Sequence, residues 1–283
     1  MNDVAVIGAG GFVGQAILNE GKRRGVECRP YPSSAINLLS ENVGQLVEEN
    51  INDGDSIVFC SALTPEQADG VELFNKNYYM MINFLEAVKK KHLSFFTYIS
   101  TDAVYSLSLD RVNETKPTEP QTLYGMSHLV REKLVKEYIS ENKLIILRPC
   151  AIYGEGDPHN AYGVMRFLRE AKHGGSIKIF GEGEEFRDHL FIDDFASIAL
   201  EAIFSKVSGI FNVASGKSIR FIDLANLIAD LFENVVSVDN LPRKMEVMHR
   251  HYDLTKLWKA FPHLLPRGIK RGVTDLFHNG NLG

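Results

Sequence analysis

Short, continuous apolar runs recur along the chain, and most are followed by a stretch in which apolar residues fall at helical spacing. The first run, Val4-Ala5-Val6-Ile7, is broken by Gly8, Gly10 and Gly11 and resumes as Gln15-Ala16-Ile17-Leu18. That order predicts a strand, a tight turn and a helix. Gly25 to Tyr31, Ser56 to Cys60, Ser94 to Ser100 and Lys143 to Pro149 repeat the strand signal. Between them, Asn42 to Asn50, Asn77 to Lys91 and Tyr124 to Glu141 read as helices. The second carries Met81, Phe84, Leu85 and Val88 on one face, and the third Leu129, Leu134, Val135 and Tyr138. Strand and helix alternating in this way predict an α/β fold with a doubly wound parallel sheet and right-handed crossovers.

Past Gly156 the rhythm changes. Helices are expected at Tyr162 to Lys172, Asp193 to Phe204 and Ile222 to Phe232, with short strands at Ile177 to Phe180 and Ile210 to Val213. No Ser/Gly-rich linker separates the two halves. The expected organisation is one domain over residues 1–156 and a small C-terminal α/β lobe over 157–283, closely packed, from which short segments can return to the first domain. A site would lie in the crevice between them.

With 283 residues, 45% of them apolar, the chain can bury a substantial core. Its net charge of −5 and the lack of any basic block beyond Lys89-Lys90-Lys91 argue against nucleic acid and against an anionic membrane as partners. The first strand begins at Val4, leaving no room for a signal peptide, and no apolar run approaches a membrane span. Cys28, Cys60 and Cys150 lie far apart, inside or beside apolar runs, and read as core residues. The expected compartment is the cytoplasm. His159, His189, His249 and His251 have no metal-ligand spacing, so no metal is expected.

The glycine turn carries the first chemistry. A glycine can take positive φ there, and another lets the backbone approach a ligand with no Cβ in the way. The free N–H groups of the following helix, at its positive dipole end, then face an anion, and a dinucleotide pyrophosphate fits. Gly8, Gly11, Phe12, Val13 and Gly14 are therefore candidate cofactor contacts. At the end of the second strand a carboxylate would hold the ribose hydroxyls of NAD, whereas a small polar or basic set would accommodate a 2′-phosphate. This chain offers Pro32, Ser33 and Ser34, with Arg29 nearby and no acid. The cofactor is thus NADP or NAD, with NADP slightly favoured. Ser61-Ala62-Leu63 form a small-residue loop at the carboxyl end of the third strand, beside the expected dinucleotide.

GxxGxxG at the first strand–helix turn resembles the short-chain dehydrogenase/reductase superfamily, and GAGGFVG its extended, nucleotide-sugar-modifying branch, the NAD-dependent epimerases and dehydratases. The resemblance extends over nearly the whole chain. It runs through Asn77 and Asn83 with Phe84-Leu85-Glu86-Ala87, Ser100-Thr101-Asp102-Ala103-Val104-Tyr105 and Tyr124-Gly125-Met126-Ser127. It continues with Arg148-Pro149, Tyr153-Gly154, Phe180-Gly181-Glu182-Gly183, Arg187-Asp188-His189, Asp193-Asp194, Phe211-Asn212-Val213 and Ser215-Gly216. It implies a Rossmann-type sheet with a substrate lobe. It further places Ser33, Asn37, Leu38, Asn77, Ser100 and Pro149 along the cofactor, Tyr124 as the acid/base and Thr101 as the hydroxyl bonded to the same substrate oxygen. Asp102 belongs to the same catalytic loop. Arg187 and Arg243 would bind the diphosphate of a nucleotide sugar, for which guanidinium forks are suited. Many relatives dimerise through the two long helices, here Asn77 to Lys91 and Tyr124 to Glu141, so a homodimer is implied.

Two positions depart from the family pattern. The motif Tyr-x3-Lys puts a permanent cation under the tyrosine, but here the sequence is Tyr124-Gly125-Met126-Ser127-His128. A histidine, with an ordinary pKa of about 6.5, is mostly neutral at pH 7, whereas the tyrosine must come down from about 10 to act as a base. His128 can still bond the nicotinamide ribose. Sugar 4,6-dehydratases of the family carry Thr-Asp-Glu, and Ala103 in the third place cannot move a proton. Dehydration is therefore disfavoured. Three functions stay open: an NAD(P)-dependent nucleotide-sugar epimerase, a 4-keto-sugar reductase, and a non-catalytic binding relative that has lost the lysine.

Overall fold

A computed structural model of the chain describes residues 3–279 apart from 69, 234, 244 and 245. Six runs form one parallel sheet: β1 (Val4–Ile7), β2 (Cys28–Tyr31), β3 (Ser56–Phe59), β4 (Phe95–Ile99), β5 (Leu144–Pro149) and β6 (Gly209–Val213). Their order across the sheet is β2-β1-β3-β4-β5-β6. β1, β3, β4 and β5 are buried along their whole length. This is why they read as continuous apolar runs rather than alternating ones, since helices cover both faces of such a sheet.

The helices are α1 (Phe12–Arg24), α2 (Val43–Asn50), α3 (Gly70–Val88), α4 (Leu123–Tyr138), α5 (Val164–Gly174), α6 (Ile192–Ser205) and α7 (Phe221–Leu231), followed by α8 (Thr255–Ala260) and α9 (Ile269–Asn279). On one face of the sheet, Ile17 of α1 and Phe195, Ile198 and Ala199 of α6 pack on Val4, Val6, Val58 and Phe95. On the other, Val47 of α2, Met81 and Phe84 of α3 and Val135 of α4 pack on Ala5, Ile57, Phe96 and Tyr98. α6 leads directly into β6, and Arg24 of α1 pairs with Glu201 of α6 at 3.0 Å. Segments from beyond residue 157 therefore complete the large sheet and one of its helical layers.

α3 begins at Gly70 rather than Asn77, because Leu73 continues its buried stripe. α4 stops at Tyr138, short of Glu141, where Ile139 turns extended. The remaining chain builds a small lobe in which strand Ser176–Phe180 runs parallel to Ser237–Leu241. Its core is formed by Phe167, Ile177, Ile179, Phe221, Leu224 and Val273 from α5, α7, α9 and that sheet. Three short pairs stand apart from the large sheet: Ala151–Tyr153 with His189–Phe191, Phe186–Arg187 with Ile219–Arg220, and Arg111–Val112 with His251–Tyr252. The three cysteines are free thiols. Among the described residues no cluster of side chains could hold a metal ion, and no helix is long and apolar enough to cross a membrane.

Candidate active site

From β1 the chain goes to β2 on one side, and β3 lies on the other, so a crevice opens at the carboxyl ends of β1 and β3. Gly8 closes β1 at φ +89°, a left-handed conformation open to glycine, and a Cβ there would stand 2.7 Å from the Ser61 amide nitrogen. The first strand–helix turn and the loop after β3 thus meet across the crevice. Gly11 is the N-cap of α1 and offers no side-chain cap, so the first-turn N–H groups have no side-chain acceptor of their own.

A cavity of about 280 Å³ runs from that turn past Ala62, Ser100 and Pro149 to Thr101, Tyr124 and His128. A second, of about 390 Å³, begins at Thr101 and Tyr124 and extends over Asp102, Arg187, Arg250 and Tyr252. The two share Thr101 and Tyr124 as a common wall. A larger space of about 620 Å³ lies against Gln15, Asn19, Asp193 and Arg267. It also lies against the glycine turn at Gly10, Gly11 and Phe12 but touches neither Thr101 nor Tyr124.

Local structure explains why Thr101 and Tyr124 converge. Thr101 closes β4 and caps a single helical turn over Asp102–Val104, its Oγ1 accepting from the Ala103 N–H at 3.2 Å. Thr122 caps α4 through the Gly125 N–H at 3.0 Å. Gly125 sits against that turn so closely that a Cβ would lie 2.2 Å from the Ala103 carbonyl oxygen. The absent side chain lets α4 carry Tyr124 up to Thr101. Burial pushes the Tyr124 phenol up to about 12, against the pull of the Thr101 hydroxyl and the Arg131 guanidinium. The ligand-free phenol therefore keeps its proton.

His128 lies one turn along α4, its ring edge-on to Tyr124 with centroids 4.7 Å apart. Nδ1 bonds the Tyr98 hydroxyl at 2.8 Å, while Nε2 is buried and has no partner among the described residues. Burial and the Arg131 charge hold its pKa well below the ordinary value, so the ring is neutral. An uncapped helix start and an orphaned imidazole nitrogen in the walls of one cavity fit a dinucleotide with a phosphate at one end and a hydroxylated sugar at the other.

The other expected residues fall into place unevenly. Asn77 is fully buried and does not reach the cavity. Its amide accepts from Leu63 N–H at 2.8 Å and donates to Leu63 O at 3.0 Å and Ser127 Oγ at 3.3 Å, tying the Ser61–Leu63 loop to α4. Leu38 is buried with its carbonyl on Asn83 Nδ2 at 2.8 Å, and Ser33 and Asn37 are exposed. Arg29, offered from the sequence as a basic neighbour for a 2′-phosphate, is occupied instead by Asp55, Asp3 and the Asn50 carbonyl. Arg187 lines the second cavity, anchored on the Phe186 and Met248 carbonyls. Arg243 does not join it, because its guanidinium forks onto Glu184 and Glu185.

Several residues at these cavities were given no role in the sequence, although Arg148 was read there as part of the Arg148-Pro149 motif. Arg250 lines the second cavity with Arg187, and the Tyr252 hydroxyl bonds Asp102. Burial raises the Asp102 carboxyl, while Tyr252, Arg250 and Arg187 pull it down. Glu132 and Arg148 form a buried pair joined at 2.6 and 2.8 Å, and Ser100 donates to Glu132 at 2.6 Å. Arg131 is fully buried beside them. The available signal was the set of charges on the face of α4 that also carries Tyr124 and Val135.

The family model described as NAD dependent epimerase/dehydratase matches residues 4–214. An N-acetyl-alpha-D-glucosaminyl-diphospho-ditrans,octacis-undecaprenol 4-epimerase of Escherichia coli is 25% identical over 271 residues, covering 91% of this chain and 78% of that protein. An ADP-L-glycero-D-manno-heptose-6-epimerase of Alkalilimnicola ehrlichii is 24% identical over 308 residues, covering 96% and 95%. Among solved structures, a UDP-glucose 4-epimerase of Thermus thermophilus in complex with NAD superposes with a TM-score of 0.82. It shares 22% identity and covers 99% of this chain and 100% of that one.

Proposed function

The chain belongs to the NAD dependent epimerase/dehydratase family, and from that premise we propose that it is an NAD(P)-dependent epimerase acting on a nucleotide sugar. The observation that carries the proposal is the wall shared by the two cavities, where Thr101 and Tyr124 stand with dinucleotide-like space on one side and a cavity holding Arg187 and Arg250 on the other.

Bound in the first cavity, the nicotinamide dinucleotide supplies a hydride acceptor and donor. The protein's part would be to hold the sugar hydroxyl between Thr101 and Tyr124 and, with the Tyr124 phenol ionised in the cofactor complex, to take the hydroxyl proton on the Tyr124 oxygen and later give it back to the same sugar oxygen. Oxidation and reduction cancel, so no net redox partner is consumed. Arg187 and Arg250 would take the diphosphate of the nucleotide sugar in the second cavity. Asp102, bonded to Tyr252, orients the loop that bears Thr101. Ala103 has no proton to give, which leaves the loss of water unassisted.

A second reading, net reduction of a 4-keto sugar, is favoured by one observation: the free Tyr124 phenol keeps its proton and can donate it to a carbonyl oxygen. The binding-only alternative rests on His128 in place of lysine. At the end of β2 the exposed Ser33 and Ser34 offer no carboxylate to repel a 2′-phosphate, so NADP should bind at least as tightly as NAD in a competition titration. Homodimerisation is proposed through α3 and α4, whose outer surfaces expose Val71, Tyr79 and Met126. A monomer in sedimentation at high concentration would refute it.

The test is product analysis and nicotinamide turnover across UDP-, dTDP-, GDP- and CDP-linked sugars and their 4-keto forms, with Tyr124→Phe in parallel. Conversion of a sugar to its epimer without net nicotinamide change, abolished in Tyr124→Phe, is expected. Net oxidation of reduced cofactor by a keto-sugar would replace the epimerase with the reductase. Undiminished turnover in Tyr124→Phe would overturn both mechanisms.

A further inference from the structure

Positions 124, 128, 131, 132 and 135 share the inward face of α4. Of the two charges there, Glu132 is matched by Arg148. Arg131 is not matched. It is 0% exposed, one guanidinium nitrogen donates to the Ser61 carbonyl, and Nε and Nη1 have no partner among the described residues. Its charge rests on aromatic rings, with the guanidinium carbon 5.2 Å from the centre of Phe59 and 5.3 Å from that of Tyr98. Ring faces attract a cation but do not replace water or a carboxylate. A position needed only for packing would be better filled by an apolar side chain of similar length.

Beside that charge stand the Tyr98 ring and the Ser61 loop, and Tyr124 and His128 share its face of α4. Tyr98, Tyr124 and Cys60 are the titratable groups that would stabilise it when ionised, and burial keeps all three protonated. Tyr98 bonds His128, and His128 packs edge-on to Tyr124. Acting on Tyr124 in the opposite sense are Asp102, from the turn after β4, and Glu66, from the loop before α3. Within this ring of groups the imidazole is neutral, and Arg131 supplies the positive charge.

On the reading of the site given above, we propose that Arg131 is a positioning residue that supplies the fixed positive charge a lysine at position 128 would have supplied, biasing Tyr124 toward its ionised form through space, while neutral His128 presents Nε2 to the cofactor ribose. The division of labour does not depend on the tautomer. With Nδ1 committed to Tyr98, Nε2 is either a donor or an acceptor, and a ribose hydroxyl can answer both. Removing the charge should leave binding intact and make the phenol harder to ionise.

The test uses the complex with NAD⁺ and reads Tyr124 directly, as the tyrosinate ultraviolet absorbance of the chain minus that of Tyr124→Phe during a pH titration. In Arg131→Met the Tyr124 step should move up by about one pH unit or more, a tenfold loss of phenolate at a given pH. Arg131→Lys should leave it in place. His128→Ala should also leave it in place while weakening NAD⁺ binding roughly tenfold. Arg131→Met should melt a few degrees higher than wild type, since an uncompensated buried charge is gone. A structural arginine predicts the reverse. An unmoved step in Arg131→Met, a lower melting temperature, or a step that moves in His128→Ala would each overturn the proposal. So would the failure of both Arg131→Met and Arg131→Gln to fold. A chain that binds NAD⁺ and converts no sugar nucleotide would sink the epimerase reading, while the shift of the Tyr124 step would still decide the role of Arg131.

Discussion

Replacing Glu132 by glutamine keeps the shape of the side chain and removes its charge. Glu132 and Arg148 are 1% and 4% exposed. The pair is bidentate at 2.6 and 2.8 Å, and Arg148 also donates to the Tyr105 hydroxyl at 2.7 Å, which in turn donates to Asn212 at 3.0 Å. Burial works to strip the proton from Arg148, but Glu132 and Tyr105 hold it firmly in place. In Glu132→Gln the guanidinium therefore stays charged with no counter-charge and meets an amide in its place. Breaking such a buried pair from one side costs about 3–5 kcal/mol. A domain of this size loses about 2–4 °C per kcal/mol, so the melting midpoint should fall by roughly 10 °C. Thermal and urea midpoints measure this, with Glu132→Leu/Arg148→Met as the companion. Removing both charges together should recover most of the loss, because an apolar pair of similar volume carries no desolvation penalty. A single-variant loss below about 1 kcal/mol would mean that the pair is solvated, and would refute the burial argument.

Two further outcomes follow from particular contacts. Gly125→Ala would drive a Cβ to 2.2 Å from the Ala103 carbonyl oxygen, so α4 must retreat from Thr101; kcat should fall about a hundredfold with much less effect on cofactor binding, and unchanged kcat would show that the approach is not required. His189 is buried, and burial with the Arg187 charge lowers its pKa to about 4. Below its ordinary value of about 6.5 the unfolded chain takes up a proton that the folded chain refuses until about pH 4. Stability should therefore fall by up to about 3 kcal/mol as pH drops through that window. His128, lowered in the same direction, adds to the slope. Urea midpoints at pH 7 and pH 4.5 measure the slope, His189→Gln should flatten it, and equal midpoints in the wild type would refute it.

The sheet was legible because its four central strands are buried on both faces, and Ser56–Phe59 or Leu144–Pro149 can be read as apolar runs with no other information. The strand Ser237–Leu241 was not, because it lies at the rim of the lobe with only Val238 and Leu241 half-buried and charged or polar residues between them. Thr101 and Tyr124, paired in the sequence by their motif positions, stand together in the structure because a local cap fixes the turn or helix that bears each one. Long side chains followed different rules. Arg29 and Arg243 were read by their place in the sequence, yet each is claimed by carboxylates within reach, Asp55 in one case and Glu184 with Glu185 in the other. Which of several arginines faces a cavity depends on where the acids of neighbouring segments fall, and spacing along the chain does not carry that information. Arg250 reaches the second cavity only because the pairing of His251–Tyr252 with Arg111–Val112 lays that segment beside Asp102.

Helix α4 shows the same limit from the other side. Of its apolar residues Leu129, Leu134, Val135 and Tyr138, only Val135 is fully buried, and the face that packs on the sheet otherwise carries Ser127, His128, Arg131 and Glu132. A hydrophobic pattern identifies a buried face only when burial is driven by the transfer of apolar surface. Here the face is held by hydrogen bonds and an ion pair to β4, β5 and the Ser61 loop, each of which stabilises little beyond the cost of desolvating its partners. Such a face is a poor way to gain stability and an effective way to fix the position and charge of groups at its end. Tyr124 sits at that end, with Glu132 locking the helix to Ser100 and Arg131 placing an uncompensated charge two turns below. The sequence rule broken at His128 and the stability rule broken at Arg131 lie one turn apart on the same surface, and the same function accounts for both.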